Sequence, residues 1–200
     1  MTPRRLFGSE RRRIYRAMRA PALLIPVLIV ALCLGLALRA AAQTHHATRP
    51  AAKAAHAGPK ELGKFEDWIA ATHQESGATV CYAFTRAKTS VPAVPGREQV
   101  ILTVTQRPTS RDAVAISAGF AFPQGASMTV AADQTGLDFY TAGRNAFARD
   151  GRGAVAALLK AGQATARAPG PRGGSQVADT FSLRGFGAAY AAIVKACPAK

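Results

Sequence analysis

Val114-Ala115-Ile116-Ser117-Ala118-Gly119-Phe120-Ala121-Phe122-Pro123 alternates larger apolar side chains with small or polar ones until proline ends the run. Successive side chains of an extended segment point to opposite faces, so Val114, Ile116, Ala118, Phe120 and Phe122 share one face. The stretch predicts a strand with that face turned inward. Its neighbours carry the same period. Thr79 to Thr85 places Val80, Tyr82 and Phe84 on one side and Cys81 and Ala83 on the other. Val100, Leu102 and Val104 alternate with Ile101, Thr103 and Thr105 up to Arg107-Pro108. Met128 with Val130, and Leu137 with Phe139, continue the pattern around turns at Gln124-Gly125 and Asp133-Gln134-Thr135-Gly136. Short strands at near-regular spacing predict a mainly β domain, a sandwich or barrel.

Two segments carry a helical period instead. Val155, Leu158 and Leu159 suit a short helix stopped by Gly162. Tyr190, Ile193, Val194 and Cys197 fall at i, i+3, i+4 and i+7, which predicts a terminal helix with Cys197 on its buried face before Pro198 closes it. Trp68 is the only tryptophan and reads as core near the start of the ordered domain, taken as 64–200.

Ahead of the domain the composition changes twice. Residues 1–42 read as a signal peptide. Arg4, Arg5, Arg11, Arg12, Arg13, Arg16 and Arg19 form the basic region, Ala22 to Leu38 the apolar core, and Ala40-Ala41-Ala42 the cleavage site, so the mature chain starts at Gln43. Glu10 to Arg16 loosely resembles a twin-arginine signal, and the general secretory route is the preferred reading of this arginine-rich segment. An uncleaved anchor facing the periplasm is the alternative, because positive-inside charge serves both. Residues 43–63, rich in Ala, His and Pro, have neither period and read as a flexible tether. His45, His46 and His56 have no fixed ligand spacing, so no metal is expected there.

Export puts Cys81 and Cys197 in an oxidising compartment, where the pair is most simply a disulfide. The bridge would close a loop of more than 100 residues, and the chain-entropy estimate for that is about 4 to 5 kcal/mol. A redox pair is the functional alternative, without the Cys-x-x-Cys arrangement that lowers a thiol pKa. After signal removal 18 Lys and Arg face 10 Asp and Glu, about +8. The basic residues are dispersed and not interleaved with aromatics, so nucleic acid is not an expected partner. The excess would attract anionic lipids, lipopolysaccharide or surface polymers, but charge that merely keeps the protein soluble is the preferred reading.

Arg172-Gly173-Gly174-Ser175, then Asp179-Thr180-Phe181-Ser182-Leu183-Arg184-Gly185-Phe186, then Ala196-Cys197-Pro198, resembles the end of the invasion-associated locus B family. Trp68, Cys81-Tyr82, Arg107-Pro108, Gly119 to Pro123, Ala146-Phe147 and Leu159 to Gly162 follow in the same order. The resemblance runs from about Phe65 to Pro198. It implies an exported protein of alphaproteobacterial type with an immunoglobulin-like β-sandwich and the two cysteines joined. It attaches no enzymatic activity, cofactor or ligand. The chain departs from the pattern at Phe147, where Trp is usual, and at Gly174, where Thr is common; neither threatens the fold.

The residues offer little chemistry. Ser182 with His73 and Asp179 is the one hydrolase assembly that can be written, without a Gly-x-Ser-x-Gly elbow, and a glycosidase pair of Asp138 and Asp179 lacks a shared cleft. Asp179 reads instead as structural, bonded to backbone amides or paired with an arginine such as Arg184. The loops Lys88 to Gly96 and Arg167 to Gly174, with Arg144, Arg149, Arg152 and Arg172, form the candidate surface for an anionic polymer or a protein partner. The expectation is a periplasmic or secreted, non-enzymatic binding or accessory module, with an envelope hydrolase as the alternative.

Overall fold

The alternating segments become strands of one antiparallel ladder in the computed structural model, which describes residues 58–199. The expected signal segment, 1–42, and the expected tether up to residue 57 lie outside the described residues. In chain order the strands are β1 (Lys60–Phe65), β2 (Trp68–Glu75), β3 (Ala78–Arg86), β4 (Thr89–Val91), β5 (Ile101–Gln106) and β6 (Ala113–Ser117). They continue as β7 (Ser127–Ala132), β8 (Thr135–Ala142), β9 (Asn145–Ala148), β10 (Gln163–Pro169) and β11 (Gln176–Ser182). Helix α1 (Gly151–Leu158) stands between β9 and β10, and α2 (Phe186–Ala196) follows β11.

The order across the ladder is β1-β2-β3-β5-β6-β9-β8-β7-β10-β11-β4. β3 is third from one edge, and β4, joined to it by Ala87 and Lys88 alone, closes the other edge on β11. Three chain steps reach about 11 Å at most, so the ladder rolls until its far edge lies beside β3. At this seam the Lys88 N–H donates to Thr180 O at 2.7 Å and the Ala87 N–H to Val100 O at 3.0 Å. The inward faces of the two halves then meet in one core, as the faces of a sandwich do. The mainly β class with two short helices is as expected; both layers belong to a single ladder.

The run that opens at Val114 is a strand only to Ser117. Gly119 takes a φ of +75°, and a Cβ there would stand 2.3 Å from Glu98 O. The chain therefore turns, and Phe120 packs with Ala118 and Val177 in a satellite cluster. The tether also ends earlier than residue 63: β1 pairs with β2 from Lys60 onward. Its Lys60, Glu61 and Lys64 suit an edge strand, whose charges discourage pairing with other chains.

Both helices put their apolar side chains into the core, Ala154, Val155 and Leu158 from α1 and Phe186, Ala189 and Ile193 from α2. The Asp150 carboxylate caps α1 by accepting from the Gly153 N–H at 2.9 Å, as N-cap aspartates do. Leu159 is exposed instead of buried. In α2 the buried face runs through Phe186, Ala189, Ile193 and Cys197, so Tyr190 sits at its margin. There its hydroxyl donates to Asp112 Oδ1 at 2.7 Å. Burial first, then that carboxylate, pushes the Tyr190 pKa up to about 12.

Candidate functional site

Cys81 decides which side of β3 faces inward. Its Sγ lies 2.20 Å from that of Cys197 at the end of α2, with Cα atoms 5.9 Å apart, and α2 packs on the core side. Period two then turns Cys81, Ala83 and Thr85 inward and Tyr82, Phe84 and Arg86 outward. The burial from Cys81 to Arg86 follows that split, while Val80 before it is also buried.

The register carries the outward set across the sheet. Ile69, Phe84, Thr103, Ala115, Phe147 and Tyr140 are successive cross-strand partners from β2 to β8. None of them is fully buried, and among the described residues no helix covers this outer face. Tyr82 and Phe84 stack along β3 with centroids 6.0 Å apart, and Tyr140 and Phe147 stack across β8 and β9 at 5.5 Å. Between the two pairs lie β5 and β6, which present Ile101 and Thr103 from β5 and Ala113, Ala115 and Ser117 from β6. Three strand steps set the pairs about 14 Å apart.

Arginines stand at the margins. The Arg86 guanidinium lies 5.6 Å from the Phe84 centroid and that of Arg149 5.7 Å from Tyr140, within the range of cation–π attraction. Among the described residues neither has a carboxylate within ion-pair distance; Arg86 Nε donates to Gln99 Oε1 at 2.7 Å. At the Tyr82 end a shallow cavity of about 550 Å³ is lined by His73, Gln74, Tyr82, Thr103, Thr105 and Arg107 among others. The His73 ring meets Tyr82 edge-on at 5.4 Å. Arg107 uses its Nε on Glu75, 3.0 Å away. One aromatic ring thus sits within a circle of hydrogen-bonding side chains.

Elsewhere Arg97, Arg184 and Lys88 are engaged. Arg97 donates from Nη1 and Nη2 to the two oxygens of Asp179 at 2.8 and 2.7 Å, and from Nε to Ala118 O at 2.7 Å. Its side chain is 5% exposed and that of Asp179 1%. The partner expected for Asp179, Arg184, pairs with Glu66 instead, at 2.8 Å. Lys88 pairs with Asp67 at 2.5 Å, and that hydrogen bond leads the causes holding the Asp67 carboxyl below its ordinary pKa.

The four candidate arginines do not form one patch. Arg144 and Arg149 stand at opposite ends of β9. Arg144 bonds Glu98 at 2.9 Å and Gly119 O at 3.0 Å. Arg172, in a 3-10 turn at Pro171–Gly173, shares the ladder end of Arg144. Arg152 is exposed on α1, close in sequence to Arg149. The hydrolase assembly does not form either, because each member has another partner. Asp179 is held by Arg97, His73 stands 3.6 Å from Glu75, and the Ser182 hydroxyl accepts from the Arg184 N–H at 3.3 Å. Asp138 is exposed on β8 while Asp179 is buried, so they make no glycosidase pair. The loop expected from Lys88 to Gly96 contains β4, and the strand β10 extends to Pro169 within the other.

The family model described as Invasion associated locus B (IalB) protein matches residues 68–194. The chain belongs to that family. The IalB match begins at Trp68, whose indole N–H donates to Ser182 O at 3.0 Å, and it spans the outer face from β2 to β8. The crystal structure of invasion associated protein b from Bartonella henselae is similar over 67% of this chain and 95% of its own, at 16% identity and a TM-score of 0.49. None of the curated proteins matches. Among the described residues no helix is long and apolar enough to cross a membrane.

Proposed function

We propose that this IalB protein is an exported, non-enzymatic binding or accessory module of the cell envelope, periplasmic or secreted after loss of residues 1–42. The observation that carries the binding role is the outer face of β2 to β8, where stacked aromatics and marginal arginines stand outside the core with no helix over them among the described residues. Exposed apolar surface of this kind marks contact sites more often than it marks packing. Export is supported by the basic and apolar segments before Ala40-Ala41-Ala42 and by two cysteines at disulfide distance. A partner protein and an anionic surface polymer both fit the excess of basic residues.

The test is re-binding of purified protein to washed envelopes of its producing cell. Saturable binding that weakens with added salt and with Tyr82→Ala plus Tyr140→Ala supports the reading. Binding no greater than that of an unrelated basic protein overturns it. Mass spectrometry of the recovered protein should find an N-terminus at or near Gln43, and an intact Met1 in the membrane fraction would make the segment an anchor.

A further inference from the structure

We propose that the outer face from β2 to β8 binds an acidic glycan, a chain of uronate-type sugars whose rings stack on the Tyr82 and Tyr140 pairs and whose carboxylates meet Arg86, Arg107 and Arg149. This rests on the envelope-binding reading and names its ligand class.

The arrangement fits a sugar chain in three respects. A pyranose has an apolar face of C–H groups and a rim of hydroxyls, so it wants an exposed ring beneath and hydrogen-bonding groups around. The 550 Å³ cavity at Tyr82 supplies both, with His73, Gln74, Thr103 and Thr105 about the ring. The second aromatic pair lies about 14 Å across the sheet, a span for several linked sugars, and Thr103 and Ala115 stand between the pairs. A protein partner would more often meet a continuous apolar centre. A lipid tail would need an enclosed channel, and this cavity is open to solvent.

Charge supplies the acidic part. Among the described residues Arg86 and Arg149 lack carboxylate partners, and Arg107, paired with Glu75 through Nε, has no acceptor at its terminal nitrogens. A guanidinium grips a carboxylate through two parallel hydrogen bonds, and these three are separated across the face as the charges of a repeating polymer are. Tyr140 is 43% exposed, so its ring is within reach of a ligand beside Arg149.

The experiment is titration of the purified protein, followed by NMR and calorimetry, with hexagalacturonate, with neutral maltohexaose and with phosphatidylglycerol vesicles. Hexagalacturonate should bind at least tenfold more tightly than maltohexaose and lose affinity as salt rises. Tyr82→Ala and Tyr140→Ala should each weaken it about tenfold, as loss of a central aromatic contact does. Arg149→Gln should flatten the salt dependence. Tyr140 and Arg149 are surface positions, so their variants remain informative if Tyr82→Ala loosens the sheet. Equal affinity for maltohexaose, binding to vesicles but not to hexagalacturonate, or unchanged binding in Tyr140→Ala and Arg149→Gln would each overturn the proposal. Envelope binding retained by a protein indifferent to hexagalacturonate removes the glycan and leaves the broader reading; loss of both removes both.

Discussion

Arg97 and Arg149 both lie over an aromatic ring, 4.9 Å from Phe120 and 5.7 Å from Tyr140, and they do opposite things. Every guanidinium nitrogen of Arg97 has an acceptor, and the side chain is sealed from water. Arg149 has no ion-pair partner among the described residues and stands in solvent. Burying a charge is tolerable only when its partners are complete, so the Arg97 region belongs to the fold. A charge left open beside exposed rings remains free to meet something else. Substitutions at the first region should therefore damage stability and at the second should damage binding.

The largest expected loss comes from Arg97→Ala. It strands the Asp179 carboxylate in a site 1% exposed, and breaking a buried pair from one side costs about 3 to 5 kcal/mol. Urea denaturation measures it. Replacing both partners, Arg97→Met with Asp179→Leu, should recover most of the loss, because no charge is then left unpaired. A double variant as unstable as the single one would show that the Ala118 carbonyl, not the ion pair, anchors the segment before β5.

Next is the disulfide pair. Cys81 and Cys197 are separated by 116 residues, and changing both to Ser should cost about 2 to 5 kcal/mol while far-UV circular dichroism stays β-rich. A non-reducing peptide map of the parent should pair each cysteine with the other. Two free thiols in the recovered protein would remove this constraint, and with it the argument that Tyr82 and Phe84 must face outward.

Tyr190 offers a pH-dependent test of the same inner region. Its folded pKa, about 12, lies above the ordinary 10, so ionisation is harder in the folded chain. Stability from this group is full below pH 10 and declines as pH rises toward 12. Tyr190→Phe should remove that part of the alkaline decline in denaturant midpoints. It should also cost about 1 kcal/mol at neutral pH through the lost hydrogen bond to Asp112.

Much of this architecture is legible in the residues. Period two finds β3, β5, β7 and β8, and the i, i+3, i+7 spacing finds α2 and places Cys197 near β3. β10 escapes because Ala164, Ala166 and Ala168 fill its buried face, and alanine signals helix more than strand. β1 escapes because an edge strand has charged residues and little alternation. The Arg97–Asp179 pair joins positions 82 residues apart, beyond any local pattern. The outer aromatic face was within reach: alternation places Tyr82 and Phe84 opposite Cys81, and a cysteine that must reach a core-facing helix settles which side is inward. Dispersed arginines gave a weaker signal, since charge patterning says nothing about which of them already has a partner.

The smallest stability change should come from the face proposed to bind. Tyr140 is 43% exposed, stacks on Phe147 and has the Arg149 guanidinium over its ring. Surface substitutions away from caps and buried networks usually shift stability within about 0.5 kcal/mol, and Tyr140→Ala should stay near that limit in thermal or urea melts. The same variant should lose about tenfold in binding if the ring is a central contact. The contrast with Arg97→Ala is then complete, one residue costing fold and not function, the other the reverse. A Tyr140→Ala loss of 2 kcal/mol or more would mean that the ring is structural, because burial loss at that scale belongs to core side chains. The outer face would then be the convex backing of the core, and the arginines beside it ordinary solvated charge.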